Sequence, residues 1–269
     1  MASSNKIAYH TRSISLPTRS SPLSLTVEEQ LCRLRYSELA TSSSSSISHN
    51  LAGLKDLYES VEDFLSTQNG KCLDTVLDGS LMLLDVCGTT RDALSQMKQS
   101  VQDLQSSIRR RRGADLELAN ELNKYMTSKK KVTKVIRKCL GGLKKMQNKS
   151  SDGVSVLREV EATTLTVFES LLSFLSQSRS KQSSWSLASK LMPNKRVSCD
   201  GETNVVEKAD MALNAFMGHK QNKIVGDVKS AQKSLEALEM SIQDLEEGLV
   251  CVSRGLVKTR VSLLNILNQ

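Results

Sequence analysis

Histidine, cysteine and serine are the side chains with which proteins most often attack substrates or bind metals. The three histidines, His10, His49 and His219, are not paired in sequence with a carboxylate or nucleophile in any recognised catalytic motif. The six cysteines are scattered, with no CxxC pair and no histidine at metal-ligand spacing. No Walker loop, GxGxxG, GxSxG or HExxH pattern occurs. The sequence therefore predicts no enzyme, no cofactor and no metal site.

The cysteine pattern and the hydropathy also indicate a compartment. Scattered cysteines suit a reducing environment, in which thiols act as small buried apolar groups. The sequence has no secretory signal and no run of about 18 apolar residues, the length that crosses a bilayer. We therefore expect a cytoplasmic protein that is at most peripheral at membranes. The alternative is the chloroplast, if the N-terminal segment is a transit peptide.

The N-terminal segment carries a pattern that a phosphorylation-dependent partner would recognise. An arginine stands three residues before a serine and a proline two residues after it, in the set Arg12, Ser13, Ser15 and Pro17. Phosphate on Ser15 would add roughly two negative charges for the arginine cluster of a phosphoserine-binding adaptor of the 14-3-3 type. Ser21, which precedes a proline, is a second phosphorylation candidate. The alternatives are a transit peptide and an ordinary basic, serine-rich tail.

Positive charge is concentrated in the middle of the chain. The formal net charge is +8, yet residues 109–149 carry 14 lysines and arginines against three acidic residues and sum to +11, which leaves −3 for the rest. Local charge of one sign is typical of a surface that binds an acidic partner. The candidate basic surface comprises Arg109, Arg110, Arg111, Arg112, Lys129, Lys130, Lys131, Lys134, Arg137, Lys138, Lys144 and Lys145.

The second part of this stretch, residues 129–149, has the pattern of a basic amphipathic helix. Such a helix can lie on an anionic membrane, where each cation contributes roughly 1 kcal/mol, or it can bind calmodulin. The alternative is a bundle helix whose apolar side is buried and whose lysines are solvated. Nucleic acid is an unlikely partner by this pattern, since Tyr125 alone offers an aromatic ring nearby for base stacking.

The C-terminal segment has the most regular periodicity in the chain. Apolar residues alternate three and four positions apart from Val228 to Leu256, which predicts a coiled-coil-like helix of about four heptads before Arg260 interrupts the pattern. The central seam comprises Leu235, Leu238, Ile242, Leu245, Leu249, Val252 and Leu256. One interpretation is packing inside a bundle, and the other is a homo-oligomer assembled through the same seam.

Composition places these features on helices. Aromatic residues are 3% of the chain, and no proline occurs between Pro22 and Pro193, although a helix interior excludes proline at a cost of about 3 kcal/mol. We therefore expect an all-α fold, an elongated bundle of long amphipathic helices with a C-terminal coiled-coil-like helix. Residues 1–25 are expected to form a disordered tail, and residues 26–269 a single helical-bundle domain with a polar loop near 178–202.

Caps and breakers predict where the helices begin and end. A capping box of Thr26 and Glu29 opens a helix of about 26–40, and a serine-rich linker separates it from a helix that starts near Ser48. Gly88 is expected to divide two further helices. Helices at about 114–147, 153–177 and 203–218 precede the C-terminal one, and 153–177 is apolar enough to be the central core helix.

Four segments together resemble a known family. They are His10 to Pro17, Leu83 to Gly88 with the following Arg91-Asp92, the arginine cluster 109–112, and Val257 to Leu267. In combination they resemble the plant-specific "domain of unknown function 241" proteins, often named BYPASS-like, over essentially the whole chain. The resemblance implies an intracellular plant helical protein associated with root and shoot development. It brings no activity, cofactor or catalytic residue with it.

These observations favour a non-enzymatic helical interaction protein. Its basic helix would face an acidic partner or an anionic membrane surface, and phosphorylation would regulate its tail. The alternative is a structural homo-oligomer assembled through the C-terminal seam.

Overall fold

The computed structural model describes residues 22–38, 43–67, 74–110, 115–147, 156–176, 204–218 and 224–268. All regular structure in these residues is helical, which confirms the prediction of an all-α bundle. The helices are α1 (Pro22–Glu38), α2 (Ser44–Leu65), α3 (Asp74–Arg109), α4 (Asp115–Gln147), α5 (Val156–Leu175), α6 (Val205–Gly218) and α7 (Ile224–Leu267). The tail motif from Arg12 to Pro17, the second phosphorylation candidate Ser21 and the whole of the predicted polar loop near 178–202 lie outside the described residues.

Helix α1 begins earlier than its predicted capping box. Pro22 is its first residue. Proline is tolerated there because the N–H group of the first helical residue makes no hydrogen bond within the helix. The hydroxyl of Thr26 donates to the carbonyl oxygen of Pro22 at 3.1 Å, a bond between successive turns inside the helix. The predicted cap at Thr26 is therefore wrong, because a proline four residues earlier already starts the helix.

The serine run before α2 is part of a helix start. The side chain of Ser43 accepts a hydrogen bond from the backbone N–H of Ser46 at 3.2 Å, and the helix begins at Ser44. Serine is among the preferred residues at this capping position because its oxygen satisfies an N–H group that lacks a helical partner. The prediction of a flexible linker at these serines is therefore wrong.

Helix α3 is continuous over 36 residues and passes through Gly88. The prediction of two helices separated at this glycine is therefore wrong. A glycine inside a helix costs only about 1 kcal/mol relative to alanine. Buried residues on both sides, among them Cys87 and Leu94, hold the two halves on the same core and outweigh that cost.

Two helices organise the core. Helix α5 packs against α1, α2, α3 and α4, and eleven of its twenty residues are buried, as expected for a central core helix. Helix α7 packs against α2, α3 and α6. The predicted helices at 114–147, 153–177 and 203–218 correspond to α4, α5 and α6.

The C-terminal seam is filled by the chain itself. All seven seam residues are fully buried, and α7 runs antiparallel to α3. Two contacts fix this direction: Arg109 pairs with Glu236 at 3.5 Å, and Arg260 donates to the carbonyl oxygen of Leu77 at 2.5 Å. The residue that interrupts the heptads therefore ties α7 to the first turn of α3. The seam is therefore buried by helices of the same chain, as in the interpretation of packing inside a bundle.

Candidate anionic-surface interface on helix α4

The apolar side of α4 is used within the fold. Val132, Ile136, Leu140 and Leu143 recur three and four positions apart and are buried in the common core. Val135 is the exception, with 47% of its surface exposed. This arrangement is the bundle-helix alternative, in which the apolar stripe is not available for insertion into lipid.

The outer side of α4 presents six exposed cations, which we name the basic face. At 3.6 residues per turn they fall within about 120° of the helix circumference. Among the residues that the structure describes, none of the six forms an ion pair with a carboxylate. The basic face comprises Lys130, Lys131, Lys134, Arg137, Lys138 and Lys145.

Two predicted members of this surface are paired within the bundle. Lys129 is largely buried and forms an ion pair with Asp210 of α6, so its charge is neutralised inside the protein. Lys144 lies 3.6 Å from a carboxylate oxygen of Glu169 on α5, although its own side chain is exposed. Sequence spacing could not separate these two lysines from the other six, because their partners are supplied by distant segments.

The arginine cluster does not join the basic face. The hydroxyls of Ser100 and Ser128 lie 2.7 Å apart, and this contact sets the antiparallel register of α3 and α4. Arg109 and Arg110 therefore lie near the beginning of α4, at least about 15 Å along the helix axis from the basic face. Arg109 also pairs with Glu236, and the last two arginines of the cluster lie outside the described residues.

The basic face is electrostatically unfavourable for the helix that carries it. Lys134 has cations three or four positions away on both sides, at 130, 131, 137 and 138. Each like-charge pair at this spacing destabilises a helix by a few tenths of a kcal/mol. Surfaces that only solvate a bundle usually mix charges of both signs, and the basic face does not.

The aromatic residue next to the basic face is not accessible. Tyr125 lies on the core side of α4, and burial raises the pKa of its hydroxyl above the ordinary value. Its ring therefore cannot stack on a nucleic-acid base, which is the contact that single-stranded nucleic acids usually require.

The candidate catalytic side chains are dispersed in the described part of the chain. His49 is exposed on α2, and the other two histidines lie outside the described residues. Cys87 is buried, and burial raises the pKa of its thiol to about 11, which leaves it protonated and unreactive at neutral pH. The described residues contain no group of three potential metal ligands. None of the described helices is long and apolar enough to cross a membrane.

The family relationship is decided by a match over most of the chain. The family model described as "Protein BPS1", the BYPASS-like family, matches residues 50–266. The chain belongs to this plant-specific family of unknown function. No curated protein and no solved structure matches the chain significantly.

The part of this BYPASS-like chain that matches includes the candidate interface. All six cations of the basic face lie within residues 50–266, as do the partners of Lys129 and Lys144. Helix α1 and the predicted phosphorylation motif lie before the matched range. The basic face therefore belongs to the portion that identifies the family.

Proposed function

We propose that this protein is a non-enzymatic interaction protein that attaches peripherally to anionic membrane surfaces through the basic face of α4. The observation that carries the proposal is the group of six exposed cations without a carboxylate partner in the described residues. In this proposal the helical bundle is the rigid support for the face, and α5 and α3 hold α4 in place by burying its apolar side.

The charge is large enough to produce reversible binding. Each lysine or arginine near an anionic leaflet contributes about 1 kcal/mol. If half of the basic face engages, the gain is about 3 kcal/mol, which raises the membrane-binding constant roughly a hundredfold. Such attachment weakens with salt, because exposed charges are screened over about 8 Å at physiological ionic strength.

The composition of the face favours lipid over a protein partner. Five of its six cations are lysines, and Val135 is the one large apolar residue exposed among them on the described surface of α4. Interfaces between proteins are depleted of lysine and enriched in aromatic residues and arginine, which form directed contacts. Lysine acts as a flexible, hydrated point charge, which suits a membrane surface where phosphates have no fixed positions.

The test is flotation of the full-length protein with vesicles at physiological salt. Phosphatidylserine-containing vesicles should carry the protein upward, whereas pure phosphatidylcholine vesicles should not. The variant Lys130→Glu/Lys134→Glu should lose most of this binding. Lys229→Glu/Lys233→Glu is the matched control, since these two exposed lysines are also four residues apart on a helix, α7.

The outcomes separate the candidate partners. Equal flotation of both variants, or equal binding to neutral vesicles, would contradict membrane attachment through the basic face. No flotation at all, combined with α4-dependent retention on an acidic protein, would indicate that the basic face binds a protein partner.

The family relationship supports a role in plant development. We propose more specifically that this role lies in the development of the root and shoot.

A further inference from the structure

A polar groove lies between α3 and α4 beside the basic face. Its volume is about 710 Å³, within the range of roughly 300–1,000 Å³ that small-molecule sites occupy. Gln96 of α3 lines one side, and α4 supplies the remaining wall. The α4 residues that matter for recognition are Asn120, Asn123, Lys124, Thr127 and Lys131.

The groove continues the basic face toward the beginning of α4. Asn120, Asn123 and Thr127 are exposed and, by helical geometry, lie on the same side of α4 as Lys134 and Lys138. Along this side of α4, uncharged hydrogen-bonding side chains are therefore followed by cations toward the C-terminal end of the helix. Lys131 belongs to both surfaces, because it lines the groove and is part of the basic face.

The lining defines the chemistry of a ligand. Two asparagine amides, one glutamine amide and a threonine hydroxyl offer both donors and acceptors, which match a molecule with several hydroxyl groups. Lys131 supplies positive charge at one end of the groove, whereas Lys124, seven residues or about 10 Å away along the axis, is paired with Glu121. Glu121 also lines the groove and pairs with Lys124 at 2.7 Å, so its carboxylate is partly neutralised. It can still accept a hydrogen bond from a hydroxyl group of the ligand.

We propose that this groove binds a phosphorylated polyol of the inositol phosphate class. The ring hydroxyls would bond to Asn123 and to Asn120 and Thr127, which lie about one turn away on either side of it. A phosphate would contact Lys131, which lies one further turn along α4 beside Gln96, and the neighbouring cations of the basic face. A purely apolar ligand would leave the amides unsatisfied, and a simple anion would leave most of them unused. The inference rests on the proposed function and deepens it. If the protein binds this headgroup on a lipid, it would attach preferentially to anionic membranes that contain phosphoinositides.

The chemistry is shared by a free inositol phosphate and by a phosphoinositide headgroup, so the experiment has two arms. In the first, inositol trisphosphate and unphosphorylated inositol are titrated into the full-length protein by calorimetry. In the second, vesicles containing phosphatidylinositol bisphosphate are compared with phosphatidylserine vesicles of equal surface charge. The test variant is Asn120→Ala/Asn123→Ala, which leaves the charge unchanged and places a better helix former at two exposed positions. Asn214→Ala/Asn265→Ala, at exposed sites on α6 and α7, is the matched control.

We expect saturable binding of inositol trisphosphate that weakens roughly tenfold or more in the groove variant and is unchanged in the control. Binding in only one arm also supports the site and identifies whether the ligand is free or lipid-attached. Two results overturn the proposal: no response in either arm, or a response that the groove variant leaves unchanged. Phosphatidylserine binding tests the proposed function separately, because the groove variant keeps every cation of the basic face.

Discussion

Lys129 of α4 and Asp210 of α6 form an ion pair in which only 15% and 20% of the two side chains are exposed. Lys130, the next residue, is exposed and belongs to the basic face. Two adjacent lysines therefore have opposite roles. One holds α6 on the bundle, and the other is available to a partner.

Asp210→Asn should destabilise the protein by about 1–3 kcal/mol, because it leaves a largely buried ammonium group without its counter-charge. The free energy of unfolding is measured by urea denaturation followed by circular dichroism. Glu59→Gln is the control, since the Lys55–Glu59 pair is exposed at 3.7 Å and should contribute less than about 0.5 kcal/mol. Equal effects of the two substitutions would refute the structural role of the Lys129–Asp210 pair.

Helices α2 and α7 approach each other closely at Gly255. A Cβ atom added there would lie 2.7 Å from the Cβ of Tyr58, which is closer than side-chain carbons pack. Gly255→Ala should therefore lower the free energy of unfolding by about 1–3 kcal/mol. Gly141→Ala on α4 meets no atom within 4 Å and should raise it by about 0.5–1 kcal/mol, because alanine is the better helix former. Thermal unfolding of the two variants side by side should show shifts of opposite sign.

The buried thiol of Cys87 links stability to alkaline pH. Burial raises its pKa from 9.0 to about 11, so the unfolded chain releases this proton at a lower pH than the folded protein does. The resulting stabilisation is complete below about pH 9 and is lost as the pH rises toward about 11, by at most about 3 kcal/mol. Tyr58 and Tyr125, whose pKa values are also raised by burial, act in the same direction.

Comparison with Cys87→Ala isolates the thiol, because the two tyrosines are unchanged in that variant. The difference in unfolding free energy between wild type and Cys87→Ala should shrink between about pH 8 and about pH 10.5. A difference that stays constant across this range would show that the thiol does not ionise differently in the two states. Urea titrations at several pH values provide the measurement.

The buried seam predicts that the bundle is stable as a monomer. Leu245→Ala should lower the unfolding free energy by about 2–5 kcal/mol through loss of core packing, without changing the oligomeric state. Met240→Ala, on the same helix but 70% exposed, is the control and should change stability little. A melting temperature that rises with protein concentration, or a dimer in sedimentation that Leu245→Ala dissociates, would instead support assembly through the seam.

Periodicity predicted the long helices well because burial of an apolar stripe is a local property of sequence. The seven seam residues of α7 and the stripe of α4 recur at helical spacing, and both stripes face the core. Helix ends were predicted less well. Gly88 has a cost in helix propensity that tertiary packing outweighs. Ser43 caps α2 but lies in a run of serines, and by composition such a run resembles a linker.

The composition of the candidate site could be predicted only in part. One-signed charge along residues 129–145 indicated a basic surface, but the pairing of Lys129 depends on Asp210, which lies 81 residues away along the chain. The groove residues Asn120 and Asn123 were missed because asparagine on a helix surface carries no distinctive pattern. Their significance comes from the groove between α3 and α4, which they line together with Lys131 and Gln96 and which sequence alone does not show.

The clustering of like charges predicts opposite effects on stability and on binding at Lys134. Lys134→Glu replaces four repulsive contacts with attractive ones, so the unfolding free energy should rise by about 0.5–1.5 kcal/mol. The same change should weaken flotation with phosphatidylserine vesicles, because it removes the central cation of the basic face. Lys134→Gln should fall between wild type and Lys134→Glu in both measurements. A variant that gains stability and binds vesicles as well as wild type would show that the charge cluster serves no anionic surface.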